Sequence, residues 1–102
     1  FRALGELFVT AESDGPRTVI YGAGAGGVMV LREARSNGEL GWKVIGFIDD
    51  DRGKFRTSVH GVPVLGSLEQ VAPLLTSGQV AQVIVSTSTV APERLDALTR
   101  LC

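Results

Sequence analysis

The segment Gly22-Ala23-Gly24-Ala25-Gly26-Gly27 has the residue types and spacing that most directly imply chemistry. Gly22, Gly24 and Gly27 stand in Gly-x-Gly-x-x-Gly register, and each has a task where a strand turns into a helix. Gly22 permits the tight turn, Gly24 lets a pyrophosphate approach the backbone, and Gly27 lets the helix pack closely on the sheet. The N–H groups of Ala25 and Gly26 then face a phosphate along the helix's positive end. With 13 glycines in 102 residues the bare pattern is weak; its context strengthens it. Asp49 ends the next apolar run about 25 residues beyond Gly24, near the spacing expected of a carboxylate that accepts hydrogen bonds from ribose hydroxyls. The alternative is that the glycines serve a tight turn and nothing more.

Around this pair stand further candidates. A carboxylate at Asp49 repels a ribose 2′-phosphate, whereas an arginine accepts one, and Arg52 follows closely; NAD is favoured over NADP, which remains possible. Asp50 and Arg52 either touch the ligand or form a solvated turn. Ser86 and Thr87 leave the fourth strand beside the first, where their hydroxyls either line a ligand crevice or cap a turn. Catalytic groups are harder to find. Tyr21 is followed four residues later by Ala25 rather than by the lysine that proton transfer in short-chain dehydrogenases requires. His60, beside Gly61, reads as a turn residue, and Cys102 has no partner base. One histidine and one cysteine are too few for a His- or Cys-based zinc site or an internal disulfide.

The elements that must hold these residues are legible as alternating patterns. Residues 1–16 read as a short helix and a linker, and residues 17–102 as the ligand-binding domain. Thr18–Tyr21 is a compact β-branched and aromatic run, the first strand. Ala25–Asn37 repeats apolar residues at helical spacing, with Asn37-Gly38 as a left-handed stop. Trp42–Ile48 is the second strand. Gly61–Gly66 is a third, placed at a sheet edge by Pro63, which cannot donate to a ladder. Ser67 and Gln70 form a capping-box pattern opening a helix that Pro73 is expected to split or kink. Val80–Val85 is the fourth strand, and Pro92 opens a last helix. The alternation predicts an α/β domain, a doubly wound parallel sheet in the order 3-2-1-4. The fourth strand is then an edge too apolar to stay bare, so a further strand or a partner subunit is expected against it.

Composition narrows the partners. With 44% hydrophobic and 21% charged residues the chain is a globular domain, not a disordered one. A net charge of −1 supplies no broad positive field for nucleic acid or an anionic membrane. The longest uncharged stretch, Val71–Pro92, carries proline, glutamines and a Ser/Thr run, so no transmembrane helix is expected. The cysteine usage fits a reducing, cytoplasmic setting, and no targeting peptide is read.

Three blocks together, Val19–Gly27, Val44–Asp51 and His60–Glu69, resemble one known module. It is the Rossmann-type domain preceding the catalytic domain of CapD-like nucleotide-sugar epimerase/dehydratases of bacterial polysaccharide biosynthesis. The same module is similar to a domain of membrane sugar-1-phosphate transferases acting on polyprenyl phosphate, and more distantly to CoA-binding domains and the UDP-sugar-binding part of certain sugar acetyltransferases. The resemblance implies a noncatalytic module for NAD(P) or a nucleotide sugar, part of a longer parent that meets the membrane only through flanking segments, with homo-oligomers possible. The alternative it leaves is a nucleotide- or CoA-sensing or assembly module of such a transferase.

Overall fold

The computed structural model describes residues 15–86 and 90–101. The helix and linker read in residues 1–16 therefore lie almost wholly outside the described residues, as do Thr87 and Cys102. In chain order the elements are β1 (Arg17–Tyr21), α1 (Ala25–Ser36), β2 (Lys43–Ile48), a 3-10 turn (Arg52–Lys54), β3 (Ser58–Val59), β4 (Val62–Gly66), α2 (Leu68–Thr76), β5 (Gln82–Val85) and α3 (Pro92–Leu101). They form one sheet in the order β3-β4-β2-β1-β5. Four strands are parallel and only β3 runs antiparallel to its neighbour.

The central position of β1 follows from its residues. Thr18 to Tyr21 are all buried, and because side chains alternate across a strand the run serves two cores. Val19 and Tyr21 pack with Ile48, Leu68, Val71 and Leu98 under α2 and α3. Ile20 packs with Leu31, Phe47, Val62 and Val64 under α1. Each fully buried side chain of this kind contributes about 1.5–3 kcal/mol of transfer free energy, so β1 anchors both layers. Its carboxyl end, from which the glycine turn leaves, is thereby fixed.

The parallel strands keep the expected order 3-2-1-4, but the sheet gains a strand the sequence reading missed. Val59 pairs with Val62 across a two-residue turn in which His60 has φ 51° and Gly61 has φ 84°. Positive φ at both centres is what a type I′ hairpin turn requires. His60 is thus a turn residue, and Arg35 Nη2 donates to its carbonyl at 2.7 Å, tying α1 to the hairpin. Pro63 consequently sits on the strand next to the edge, not on the edge itself. This is tolerated because the ladder to β2 begins beyond it, with Phe47 opposite Val64.

Two local expectations are corrected. Pro73 does not split α2, which runs unbroken from Leu68 to Thr76 with Pro73 exposed and Val71 buried against the core. The stop after α1 is not left-handed at Asn37-Gly38. Asn37 is extended at φ −107°, its amide bonding Glu33 O and its side chain accepting from Glu39 N, and the left-handed residue comes later, at Gly41. At the other edge, β5 is half-buried throughout.

Candidate functional site

The glycine segment leaves β1 as a turn whose geometry admits few residues. Gly22 has φ 107° and its amide donates to Ile48 O at 2.7 Å, closing the turn onto β2. A Cβ at Gly27 would lie 1.8 Å from the carbonyl oxygen of Gly22, so the first turn of α1 rests directly on the backbone leaving β1. Gly24 is the N-cap of α1, offering no side-chain cap, and Val28 N donates to Gly24 O at 3.0 Å as the first helical bond. The amides of Ala25, Gly26 and Gly27 therefore have no intrahelical acceptor. No acidic residue in the first turn offsets the positive end of the helix. Such an end favours an anion.

The three aspartates after β2 divide three tasks among them. Asp49 is 14% exposed; its Oδ2 accepts from Ala23 N and its Oδ1 from Asp51 N, both at 2.9 Å, and Lys54 Nζ stands 3.5 Å away. It braces the glycine turn against the end of β2 and keeps acceptor capacity on Oδ1. Asp51 caps the following 3-10 turn by accepting from Gly53 N. Asp50 faces the other side of the sheet, toward α2 and α3.

There Asp50 joins a network that the sequence reading missed. Its Oδ2 accepts from the Tyr21 hydroxyl at 2.5 Å and from Arg94 Nε at 3.1 Å; its Oδ1 accepts from Leu68 N and from Arg94 Nη2, each at 3.1 Å. Arg94 reaches on to Glu69 at 2.8 Å and donates to the Tyr21 oxygen at 3.2 Å. Burial draws the Asp50 carboxyl upward, but the bonds from Tyr21, Arg94 and Leu68 outweigh it and hold it below the usual carboxylate range. Burial and the Asp50 bond push the Tyr21 phenol up to about 12. Arg94 is held protonated by its bonds to Tyr21, Asp50 and Glu69. All four lone-pair positions of Asp50 are taken while the network stands, so it closes a cross-link and has none to offer a ligand. Tyr21 and Arg94 lie too far apart in sequence for any spacing rule to pair them.

Beside this network a cleft of about 990 Å³ opens, lined by Asp50, Arg52, Phe55, Ser67, Gln70 and Arg94 among others. The structure thus brings Gly22–Gly27 and Asp49 together on one side of the strand ends, and places Asp50 and Arg52 on the cleft. Ser86 is 4% exposed and its amide extends the ladder by donating to Tyr21 O at 2.9 Å. Thr87 lies outside the described residues. Among the described residues no group of three or more His, Cys, Asp or Glu is placed to hold a metal ion, and no helix is long and apolar enough to cross a membrane.

Known proteins resemble this chain. A family model described as a CoA-binding domain matches residues 6–102. The probable polysaccharide biosynthesis protein EpsC of Bacillus subtilis (strain 168) is 29% identical over 101 residues, 99% of this chain and 17% of the relative. The capsular polysaccharide biosynthesis protein CapD of Staphylococcus aureus is 23% identical over 103 residues, 100% of this chain and 17% of the relative. The chain thus spans about a sixth of the length of these bacterial relatives, and the resemblance drawn from its three sequence blocks is met. A solved structure, UDP-D-quinovosamine 4-dehydrogenase from Vibrio fischeri, superposes with a TM-score of 0.71 at 24% identity, over 84% of this chain and 71% of that one. The likeness shows the fold to be the Rossmann-like α/β class expected.

Proposed function

The chain belongs to the CoA-binding domain family, and on that premise we propose that it is a noncatalytic nucleotide-binding module of a polysaccharide-biosynthesis protein that acts on nucleotide sugars. The observation that carries the reading is the glycine turn: a Cβ at Gly27 would strike Gly22 O, and the turn delivers three amides without intrahelical acceptors at the start of α1. That cradle fits the diphosphate common to NAD, CoA and nucleotide sugars. The diphosphate lies over Ala25, Gly26 and Gly27. A ribose hydroxyl donates to Asp49 Oδ1, and Lys54, 3.5 Å from that carboxylate, compensates the ligand's charge. NAD is the first candidate, with NADP, CoA and UDP-sugars as the others.

Among the described residues near this turn, none is read as a proton-transfer group. Tyr21 is 2% exposed, bonded to Asp50 and, with its phenol at about 12, stays protonated at neutral pH. The test is titration calorimetry with NAD, NADP, CoA and UDP-sugars against the chain and its Gly24→Val variant. Binding of at least one, lost in a variant that keeps its circular dichroism spectrum, is the expected result. A folded chain that binds none of them leaves the glycines as turn formers only.

A further inference from the structure

Asp49 and Asp50 follow one another at the end of β2, yet each is anchored on a different face of the sheet. Asp49 Oδ2 accepts from Ala23 N in the glycine turn and Oδ1 from Asp51 N, both at 2.9 Å. Asp50, on the α2 and α3 side, gathers donors from three elements: the Tyr21 hydroxyl of β1, Leu68 N at the start of α2, and Arg94 of α3. Arg94 grips it with two nitrogens, Nε on Oδ2 and Nη2 on Oδ1, which fixes the plane of the carboxylate. Glu69, the other partner of Arg94, is the outer arm: its side chain is largely exposed and keeps acceptor capacity toward solvent.

The two anchorages meet in the backbone. The bond from Asp51 N aligns Asp49 Oδ1, and Asp50 stands between the two residues that make it. Whatever fixes Asp50 therefore fixes the amide on which Oδ1 is aligned, whereas Oδ2 depends on Ala23 N in the glycine turn. Without Arg94, Asp50 would keep only Tyr21 and Leu68 N and would be free to turn toward solvent. We infer that Arg94 is a positioning residue of the nucleotide site, acting through Asp50 and the Asp51 amide to aim Asp49 Oδ1 at the ribose. The inference rests on the nucleotide reading above and adds the residue, on the opposite face of the sheet, that sets the direction of its ribose acceptor.

The probes are ADP and UDP, which between them carry the ribose and diphosphate of the candidate ligands, and inorganic pyrophosphate, which has no ribose. Couplings between separate sites are commonly about fivefold or more in affinity. Arg94→Gln is expected to weaken whichever nucleotide binds by about fivefold or more and to leave pyrophosphate unchanged. Calorimetry measures both, at a temperature where circular dichroism shows the variant folded. Lost stability alone does not produce that split. Coupling is reciprocal, so the unaltered chain supplies the second readout. Exchange of the Arg94 Nε–H with water, followed by NMR, should slow with the nucleotide and not with pyrophosphate. This readout decides the matter if the variant does not fold or if pyrophosphate binds too weakly to measure. If neither ADP nor UDP binds, the nucleotide reading itself is lost. If Arg94→Gln weakens nucleotide and pyrophosphate alike, or weakens neither, the positioning role is refuted and the glycine-turn reading stands. An Arg94 Nε–H that exchanges equally fast with and without bound nucleotide refutes it too, leaving Arg94 as a structural cross-link.

Discussion

Tyr21 and Asp50 are separated by 29 positions in sequence, yet the phenol of one donates to the carboxylate of the other at 2.5 Å, at the point where β1 and β2 end side by side. Arg94, from the first turn of α3, donates to both. A cation near the start of a helix opposes the helix dipole, and here two carboxylates, Asp50 and Glu69, compensate it. The consequence is a cross-link joining two strands and two helices on one face of the sheet, which fixes one wall of the cleft while leaving the glycine turn on the other face untouched.

Arg94→Ala should therefore lower stability while sparing the glycine turn. The variant removes two of the four bonds to Asp50 and leaves that carboxylate partly buried with fewer partners, at a cost of about 1–2 kcal/mol, since the pair is about a third exposed. Arg94→Lys should recover little, because a point ammonium cannot make the two-pronged contact with Asp50. Urea unfolding followed by circular dichroism measures both. A stability equal to that of the unaltered chain would show the cross-link to be energetically idle.

The same network predicts how stability responds to pH. The folded-state value of Asp50 is depressed, so its contribution is present above the ordinary carboxyl value near 4 and is lost as pH falls through the depressed value. The folded-state value of Tyr21 is raised, so its contribution is present below about 10 and is lost as pH climbs from there toward about 12. Thermal melts across pH should show both flanks. Asp50→Asn should flatten the acid flank and Tyr21→Phe the alkaline one; an unchanged alkaline flank in Tyr21→Phe would mean that other groups set it.

How much of this was legible depends on the distance over which each signal acts. The glycine turn, the capping box at Ser67 and the strand order are written in short runs, because turn geometry, caps and strand burial are local or periodic demands. The β3–β4 hairpin was missed because its turn uses His60 where an asparagine or glycine would have announced positive φ. The Asp50 network was missed because its partners come from Tyr21, Glu69 and Arg94, and no local rule aligns residues that only the folded sheet brings together. The sequence leaves Asp50, next to Asp49, as a ligand contact or a solvated-turn residue, whereas strand alternation sends the two side chains to opposite faces and gives them different work.

Gly27→Ala tests the closest approach in the site. The added methyl would stand 1.8 Å from Gly22 O, a backbone atom that cannot move without shifting the end of β1. Even a partial accommodation should cost about 3 kcal/mol or more, by the overpacking that core insertions show. The expected outcome is a large fall in thermal midpoint together with loss of nucleotide binding. Gly38→Ala, with nothing within 4 Å of the new methyl, is the control and should be close to neutral.

Asp49 separates the architecture of the turn from its use. In the free chain its Oδ2 holds Ala23 N and its Oδ1 holds Asp51 N, so part of its role is to position the glycine turn even without ligand. Asp49→Ala should therefore lower stability modestly, by about 1–3 kcal/mol for the unpaired amide of Ala23 and the lost bond to Asp51. If Asp49 also accepts from a ribose hydroxyl, affinity should fall for nucleotides but not for inorganic pyrophosphate, which has no ribose to offer. Calorimetry of both ligands against the variant makes the distinction. A parallel loss for nucleotide and pyrophosphate would assign Asp49 to the turn alone, because a loosened turn weakens every anion it holds; a loss confined to the nucleotide would place the ribose on its carboxylate.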